Sequence, residues 1–205
     1  MPISNSGIAG APLQIDEKPE LKEVVMGLHW DPSEDDVNVH PENLDALCVL
    51  FDQEQQIVET IHPGNPRSTN GSVVHTGDSR TGASKWDDER IFVFLEALPA
   101  NVTTLVFIVA SATGNPIREA RGASCHISDH ATEYQWVNME LTTLDTQTTY
   151  CVATLSRSPT GWEIASTAQD INREHEAQSA ALAALRQFEF ARSHELVRAA
   201  GIKPE

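Results

Sequence analysis

The sequence predicts an all-β protein, a two-sheet β-sandwich, with a C-terminal α-helical extension. Short apolar runs recur along residues 1–170, and turn residues such as Pro, Gly, Asn and Asp separate them, as in a sandwich. From Asn172 to Ala200 the pattern changes, because Gly and Pro are absent and strong helix formers dominate. We therefore divide the chain into a sandwich domain, residues 1–170, and a helical tail, residues 171–205.

Apolar runs define the predicted strands. The run at residues 44–51 is so apolar that we expect it to be buried on both faces. Asp45 is the exception within it, and a carboxylate there is costly unless it is paired or binds a metal. The other predicted strands are 24–28, 57–61, 91–95, 104–110, 123–127, 134–141, 150–155 and 162–166.

Composition limits the partners of the chain. Its 205 residues include 30 acidic and 14 basic ones, which gives a formal net charge of -16. This charge disfavours nucleic acid and anionic membrane surfaces. We find no apolar run long enough for a membrane span and no signal peptide in the sequence, so we expect a cytoplasmic protein. The cysteines form no C-x-x-C pair, and Cys48 and Cys151 lie in apolar runs where burial is expected.

Residues 77–89 form an acidic loop that reads G-D-S-R-T-G-A-S-K-W-D-D-E. Asp78 follows its first glycine, and Asp87, Asp88 and Glu89 close it just before a predicted strand. Calcium binds carboxylate, carbonyl and water oxygens, which such loops supply. A solvated hairpin connection is the alternative, because Gly, Asp and Ser are common in turns.

The chain resembles the TerD family, which is associated with tellurium resistance and bacterial stress response. The family loop, close to G-D-N-x-T-G-x-G-x-G-D-D-E, matches residues 77–89 without a gap. The family's G-L-G-W-D strand ending corresponds to residues 27–31, and its D-x-D-A segment corresponds to residues 43–46. The likeness covers roughly residues 12–170, so the helical tail lies outside it.

The resemblance implies a β-sandwich that binds Ca²⁺ through acidic loops at one end, in a non-enzymatic stress-response protein. Carboxylates gathered from three distant segments repel one another, and a cation relieves that repulsion. Carried over position by position, the implied metal ligands are Asp31, Asp45, Asp78, Asp87, Asp88 and Glu89, with Asn43 and Ser79 as weaker oxygen donors.

Several positions depart from the family pattern. Asn43 stands where the family commonly has Asp, and Ser79 replaces the usual Asn. Ser84 and Trp86 replace two glycines, and Lys85 adds a cation between them. Each change weakens calcium binding, so we predict a divergent member with a weak or partial site. Trp86 either covers the metal site or is an exposed contact for a partner.

Other functions remain as alternatives. The protein could be a structural or adaptor module of a larger assembly that has lost the metal, with residues 172–200 used for a protein partner or for self-association. The tail could equally pack back on its own sandwich, through an apolar stripe at helical spacing. That stripe comprises Ala177, Ala181, Leu185, Phe188 and Ala191.

Three chemical alternatives are disfavoured by the sequence. Carboxylates that hold a catalytic divalent metal could hydrolyse phosphoesters, but no supporting His or Lys pattern accompanies them. Cys125, His126 and His130 provide three candidate zinc ligands, whereas structural zinc takes four. His75 precedes the acidic loop and could act as a general base, but no nucleophile motif accompanies it. We therefore interpret it as an ordinary strand-end residue.

Overall fold

The computed structural model describes residues 18–32 and 42–166. Ten strands in this part of the chain form two antiparallel sheets of five strands each. Their bounds are β1 Glu23–His29, β2 Leu44–Phe51, β3 Ile57–Ile61, β4 Val73–His75, β5 Glu89–Phe94, β6 Thr104–Ser111, β7 Ser124–Asp129, β8 Gln135–Glu140, β9 Thr149–Ser158 and β10 Gly161–Ser166. Sheet A has the order β4-β5-β1-β7-β8, and sheet B has the order β10-β9-β6-β2-β3.

The predicted two-sheet sandwich is confirmed. Each predicted strand is present, and the structure adds the short strand β4 just before the acidic loop. Short 3-10 turns at Leu95–Ala97, Ile117–Glu119 and Leu141–Thr143 link strands. The predicted domain boundary at residue 170, the helical tail and its association through residues 172–200 lie outside the described residues. Within the described ranges, no helix is long and apolar enough to cross a membrane.

The core lies between the sheets, because successive side chains of a strand point to opposite faces. Sheet A contributes fully buried residues such as Met26 and Leu28 of β1, and sheet B contributes Ala46 of β2 and Phe107 of β6. All eight residues of β2 are buried, which confirms the expected burial on both faces. A second apolar cluster therefore lies on the outer face of sheet B.

The three cysteines are free thiols and all are buried, as expected for Cys48 and Cys151. Cys48 and Cys125 belong to the core between the sheets, whereas Cys151 belongs to the outer cluster of sheet B. Burial raises the pKa of Cys125 to about 12 and also raises that of Cys48. Cys125 faces the core, and His126 faces the outer side of sheet A beside Asp87, so these neighbours do not converge on one ion.

One feature of sheet B positions the candidate site. Strand β3 pairs with β2 only from Cys48 onward. Strand β6 pairs with β2 along its whole length. The main chain of β2 before Cys48 is therefore unpaired by β3 on one side, and its polar groups need other partners.

Candidate metal centre

Three carboxylates converge at one end of the sandwich. Asp45 lies at the start of β2, Asp78 lies in the acidic loop, and Glu89 begins β5. Each offers one oxygen, and these oxygens all lie within 4.8 Å of one another. Two ligands on opposite sides of a calcium ion at about 2.3–2.6 Å are roughly 5 Å apart, so one ion can bind all three.

Glu89 is fixed in place by main-chain donors. Its side chain is fully buried. Oε2 accepts a hydrogen bond from the amide of Ala46 at 2.8 Å, and Oε1 accepts one from the amide of Ser79 at 3.1 Å. Glu89 thus occupies the side of β2 that β3 leaves unpaired. It links β2, β5 and the acidic loop.

His75 completes this arrangement from β4. Its Nε2 lies 3.1 Å from the Ala46 carbonyl oxygen and 3.3 Å from Glu89 Oε2. Its Nδ1 accepts a hydrogen bond from the Gly77 amide at 3.0 Å, so the proton of the neutral ring is on Nε2. His75 therefore donates its Nε2 proton to the Ala46 carbonyl, and the same nitrogen lies against Glu89 Oε2, so the ring helps to position the carboxylate.

A positive side chain already contacts the cluster. Arg80 Nε donates a hydrogen bond to Asp78 Oδ2 at 2.8 Å. The hydrogen bond and charge of Asp78, together with the charge of Asp45, raise the pKa of the Arg80 guanidinium. A metal ion that binds these carboxylates must share or replace the charge of Arg80.

Ser79 contacts the cluster, and Asn43 lies close to Asp45 in sequence. Asn43 lies directly before β2, two positions from Asp45, and its Oδ1 is buried without a hydrogen-bond partner in the structure. The Ser79 amide donates a hydrogen bond to Glu89 Oε1, and the Ser79 hydroxyl donates one to Asp88 Oδ1 at 3.4 Å. An unpartnered buried oxygen two residues from Asp45, together with three carboxylates, is an oxygen-only donor set of the kind that calcium binds.

Asp88 organises the loop instead of joining the three carboxylates. Its side chain is fully buried. Oδ2 accepts from the Trp30 amide at 3.1 Å, and Oδ1 accepts from the Ser84 amide at 3.0 Å. Oδ2 also lies 3.0 Å from His29 Nδ1. These contacts fix the end of the loop to the end of β1.

Asp87 lies on the outer face of sheet A. Its Oδ2 accepts from Arg90 Nε at 2.7 Å, and its Oδ1 lies 3.2 Å from His126 Nε2. Burial alone would raise the pKa of Asp87, but the hydrogen bonds and charges of His126 and Arg90 lower it overall. Gly27 of β1 makes room for this pair, since a Cβ there would lie 2.2 Å from His126 Nε2.

Asp31 also lies apart from the cluster. Its carboxylate is 3.7 Å from Arg121 Nε and 3.8 Å from His29 Nε2, and its side chain is 44% exposed. Of the eight residues in the predicted site, the structure therefore joins Asp45, Asp78 and Glu89 directly and places Ser79 against Glu89. Asn43 directly precedes β2, with its Oδ1 buried and unpartnered. It places Asp31, Asp87 and Asp88 in other contacts.

Ser84 and Trp86 stand where the family has glycine, but the loop does not require a glycine conformation at either position. Gly77 and Gly82, which the chain retains, have positive φ values of 120° and 60°. Among the described residues other than glycine, positive φ occurs only at Gln55 and Glu133, so Ser84 and Trp86 adopt ordinary conformations. The indole of Trp86 is 77% exposed and lines a groove of about 550 Å³ on the outer face of sheet A.

Sequence reasoning missed the contacts that hold the carboxylates. His75 shares the inward face of β4 with buried Val73, and a polar side chain at such a position needs a partner. Arg80 is the arginine within the loop, and a charge two residues from Asp78 could have been considered as its partner. The roles of Arg90 and His126 had no comparable signal, because their contacts depend on the pairing of β5 and β7 with β1.

A two-sheet sandwich with an all-oxygen carboxylate cluster at one end defines a candidate hard-cation-binding domain. Residues 9–177 match the family model of the TerD domain. The chain is 33% identical over 159 residues to the tellurium resistance protein TerZ of Serratia marcescens, covering 72% of this chain and 79% of that protein. It is 32% identical over 130 residues to general stress protein 16U of Bacillus subtilis, covering 60% of this chain and 67% of that protein.

A solved structure shares the fold. The crystal structure of a homologue of telluride resistance protein (TerD) from Streptomyces coelicolor superposes with a TM-score of 0.61 at 21% identity. The match covers 71% of this chain and 87% of that one. The chain belongs to the TerD family.

Proposed function

We propose that this protein is a calcium-binding, non-enzymatic stress-response protein of the bacterial cytoplasm. The observation that supports calcium is the convergence of Asp45, Asp78 and Glu89, whose oxygens lie within 4.8 Å of one another. Oxygen-only ligands favour calcium or magnesium over zinc or copper. The stress-response role is supported by relatives named as tellurium resistance and general stress proteins.

Bound calcium would connect three segments of the chain. Asp45 belongs to sheet B, Glu89 belongs to sheet A, and Asp78 belongs to the loop between β4 and β5. An ion shared by these side chains would stabilise the folded state, since the unfolded chain does not hold them together. The proposed output is therefore calcium-dependent order at the acidic end of the sandwich.

Titration calorimetry and thermal melting with calcium and magnesium test this function. We expect heat of binding and a rise in melting temperature at millimolar calcium for the native chain, and loss of both in Asp45→Asn and in Asp78→Asn. Asp145→Asn is the matched control, because Asp145 is exposed in the loop before β9. No heat and no melting shift in the native chain would reject calcium binding.

A structural or adaptor module without a metal is the second candidate. It is favoured by the protein donors that already satisfy Glu89 and by the Arg80 charge beside Asp78. Under this hypothesis the melting temperature is the same in a chelator and in calcium, while the native chain still forms a defined assembly in light scattering. A calcium-dependent melting temperature would contradict it.

A further inference from the structure

The outer face of sheet B is an apolar surface. Its side chains come from the three central strands β2, β6 and β9, and each is at most 3% exposed. We call this set the outer cluster. Its members are Leu47, Val49, Phe51, Val106, Ile108, Ala110 and Cys151.

The described part of the sandwich does not account for this burial. All the residues of the outer cluster belong to sheet B, and the half-buried residue packed against them, Ile57, lies on β3 of the same sheet. The hydroxyls of Thr60 and Thr154 are buried without a partner. They pair in register with Val49 and Val106, so they share this face. Side chains on the outside of a sheet are buried this completely only beneath another layer.

Chain connectivity indicates which segment supplies the layer. Residues 1–17 lead into β1, which lies in the middle of sheet A, on the other side of the sandwich. Residues 33–41 are short and carry Glu34, Asp35 and Asp36, which suit an apolar face poorly. The segment after residue 166 follows β10, which is the edge strand of sheet B and pairs with β9.

We propose that residues 172–200 form an amphipathic helix that lies on the outer cluster and covers it within the same chain. Three adjacent strands span about 10 Å, and a helix with its side chains is about 10–12 Å in diameter, so one helix has the required width. The 29 residues lack Gly and Pro. They would extend about 43 Å as a helix, which exceeds the length of these strands.

The sequence of the tail matches the surface it would cover. Its apolar stripe contains Leu185 and Phe188 with small alanines on either side. Small residues let a helix approach a sheet closely, while the two large ones fill the spaces between strands. The outer face of sheet B is therefore an internal docking surface, and its occupant is the tail rather than a partner protein. This inference does not depend on calcium.

Thiol labelling of the folded, full-length chain tests the proposal. The cysteines lie in two different places, so their labelling rates show separately whether the outer face of sheet B or the core between the sheets becomes exposed. Cys151 lies in the outer cluster, whereas Cys48 and Cys125 lie between the sheets. Leu185→Asp with Phe188→Asp should release the tail and increase the maleimide labelling rate of Cys151 at least about 10-fold, as local opening exposes it. Cys48 and Cys125 should stay unlabelled, which shows that the sandwich remains folded.

Two matched double variants identify the occupant. Ser179→Asp with Ser193→Asp places the same charges on the opposite side of the helix and should leave Cys151 protected. Leu13→Asp with Ile15→Asp tests the N-terminal segment in the same way. Labelling of Cys151 caused by the N-terminal pair and not by the Leu185 and Phe188 pair would overturn the proposal.

A second measurement distinguishes the tail of the same chain from that of another copy, and it does not depend on the stability of a variant. Benzoylphenylalanine in place of Phe188 should crosslink on illumination to peptides of β2, β6 or β9 within a monomer-sized product. The same group in place of Ser193 should not. Crosslinks that appear only in dimers, or that map to sheet A, would overturn the proposal.

Discussion

His75 Nε2 and Glu89 Oε2 lie 3.3 Å apart, and the two side chains bind the carbonyl and the amide of the same residue, Ala46. They replace the pairing that β3 does not supply to this part of β2. Both side chains come from sheet A, so their hydrogen bonds join the two sheets at the acidic end. The Glu89 carboxylate, which belongs to the candidate metal centre, therefore also holds the two sheets of the sandwich together.

Replacing Glu89 should destabilise the fold even without a metal. Glu89→Ala removes the acceptor for the amides of Ala46 and Ser79. We expect the free energy of unfolding in a chelating buffer at neutral pH to fall by about 2–4 kcal/mol, since unpaired buried polar groups are costly. Urea unfolding measures this change. Glu119→Ala, at an exposed carboxylate, is the control, and an equally small loss in both variants would contradict the assigned role.

Removing Arg80 should strengthen cation binding. Arg80→Gln eliminates the positive charge that contacts Asp78 while keeping a polar side chain. We expect the dissociation constant for calcium to fall about 3–10-fold at low ionic strength, because a competing charge near the carboxylates is gone. Calorimetry measures it. Arg118→Gln should leave the affinity unchanged, and weaker calcium binding in Arg80→Gln would show that Arg80 does not compete with the ion.

A side chain at position 27 should destabilise the protein, because the contact between Asp87 and His126 occupies the space beside Gly27. A Cβ at this position would lie 2.6 Å from Asp87 Cγ and 2.2 Å from His126 Nε2. We expect Gly27→Ala to lower the free energy of unfolding by about 2–3 kcal/mol through overpacking. The same change should cost clearly less when Asp87→Ala and His126→Ala are present, as measured in a urea-unfolding cycle. Equal costs in both backgrounds would exclude this contact as the cause.

The contribution of Asp87 to stability should depend on pH. Its pKa in the folded protein lies below the ordinary 3.8 because Arg90 and His126 stabilise the carboxylate. A lowered folded-state pKa gives stability that is complete above the unfolded pKa and lost as pH falls through the folded value. We expect Asp87→Asn to be less stable than the native chain by about 1–2 kcal/mol at pH 7.

That difference should shrink as pH falls from about 4 toward 2, where the native Asp87 becomes protonated. Urea unfolding of both proteins across this range provides the measurement. Asp145→Asn, at an exposed carboxylate, is the control. A difference between native and Asp87→Asn proteins that stays constant down to pH 2 would contradict the stabilised carboxylate.

The sandwich could be predicted because its signals are local. Apolar runs such as 104–110 and turn residues between them mark strands without knowledge of their partners. Strand β4 was harder, because three residues carry too little pattern to be recognised on their own. The candidate site was predicted as one group of acidic residues, since position along the chain shows which carboxylates lie near strand ends but not where each side chain points.

The sequence alone determined the sandwich, the acidic loop and the family, because alternation, composition and a gapless motif are properties of neighbouring residues. The tertiary structure decided how the consecutive carboxylates at the end of the loop separate. Asp87 meets Arg90 and His126. Asp88 accepts from the main-chain amides of Ser84 in the loop and of Trp30 just after β1. Glu89 enters the sheet interface beside Asp45 and Asp78. These destinations depend on partners from distant strands, and only the folded arrangement brings those partners within hydrogen-bonding distance.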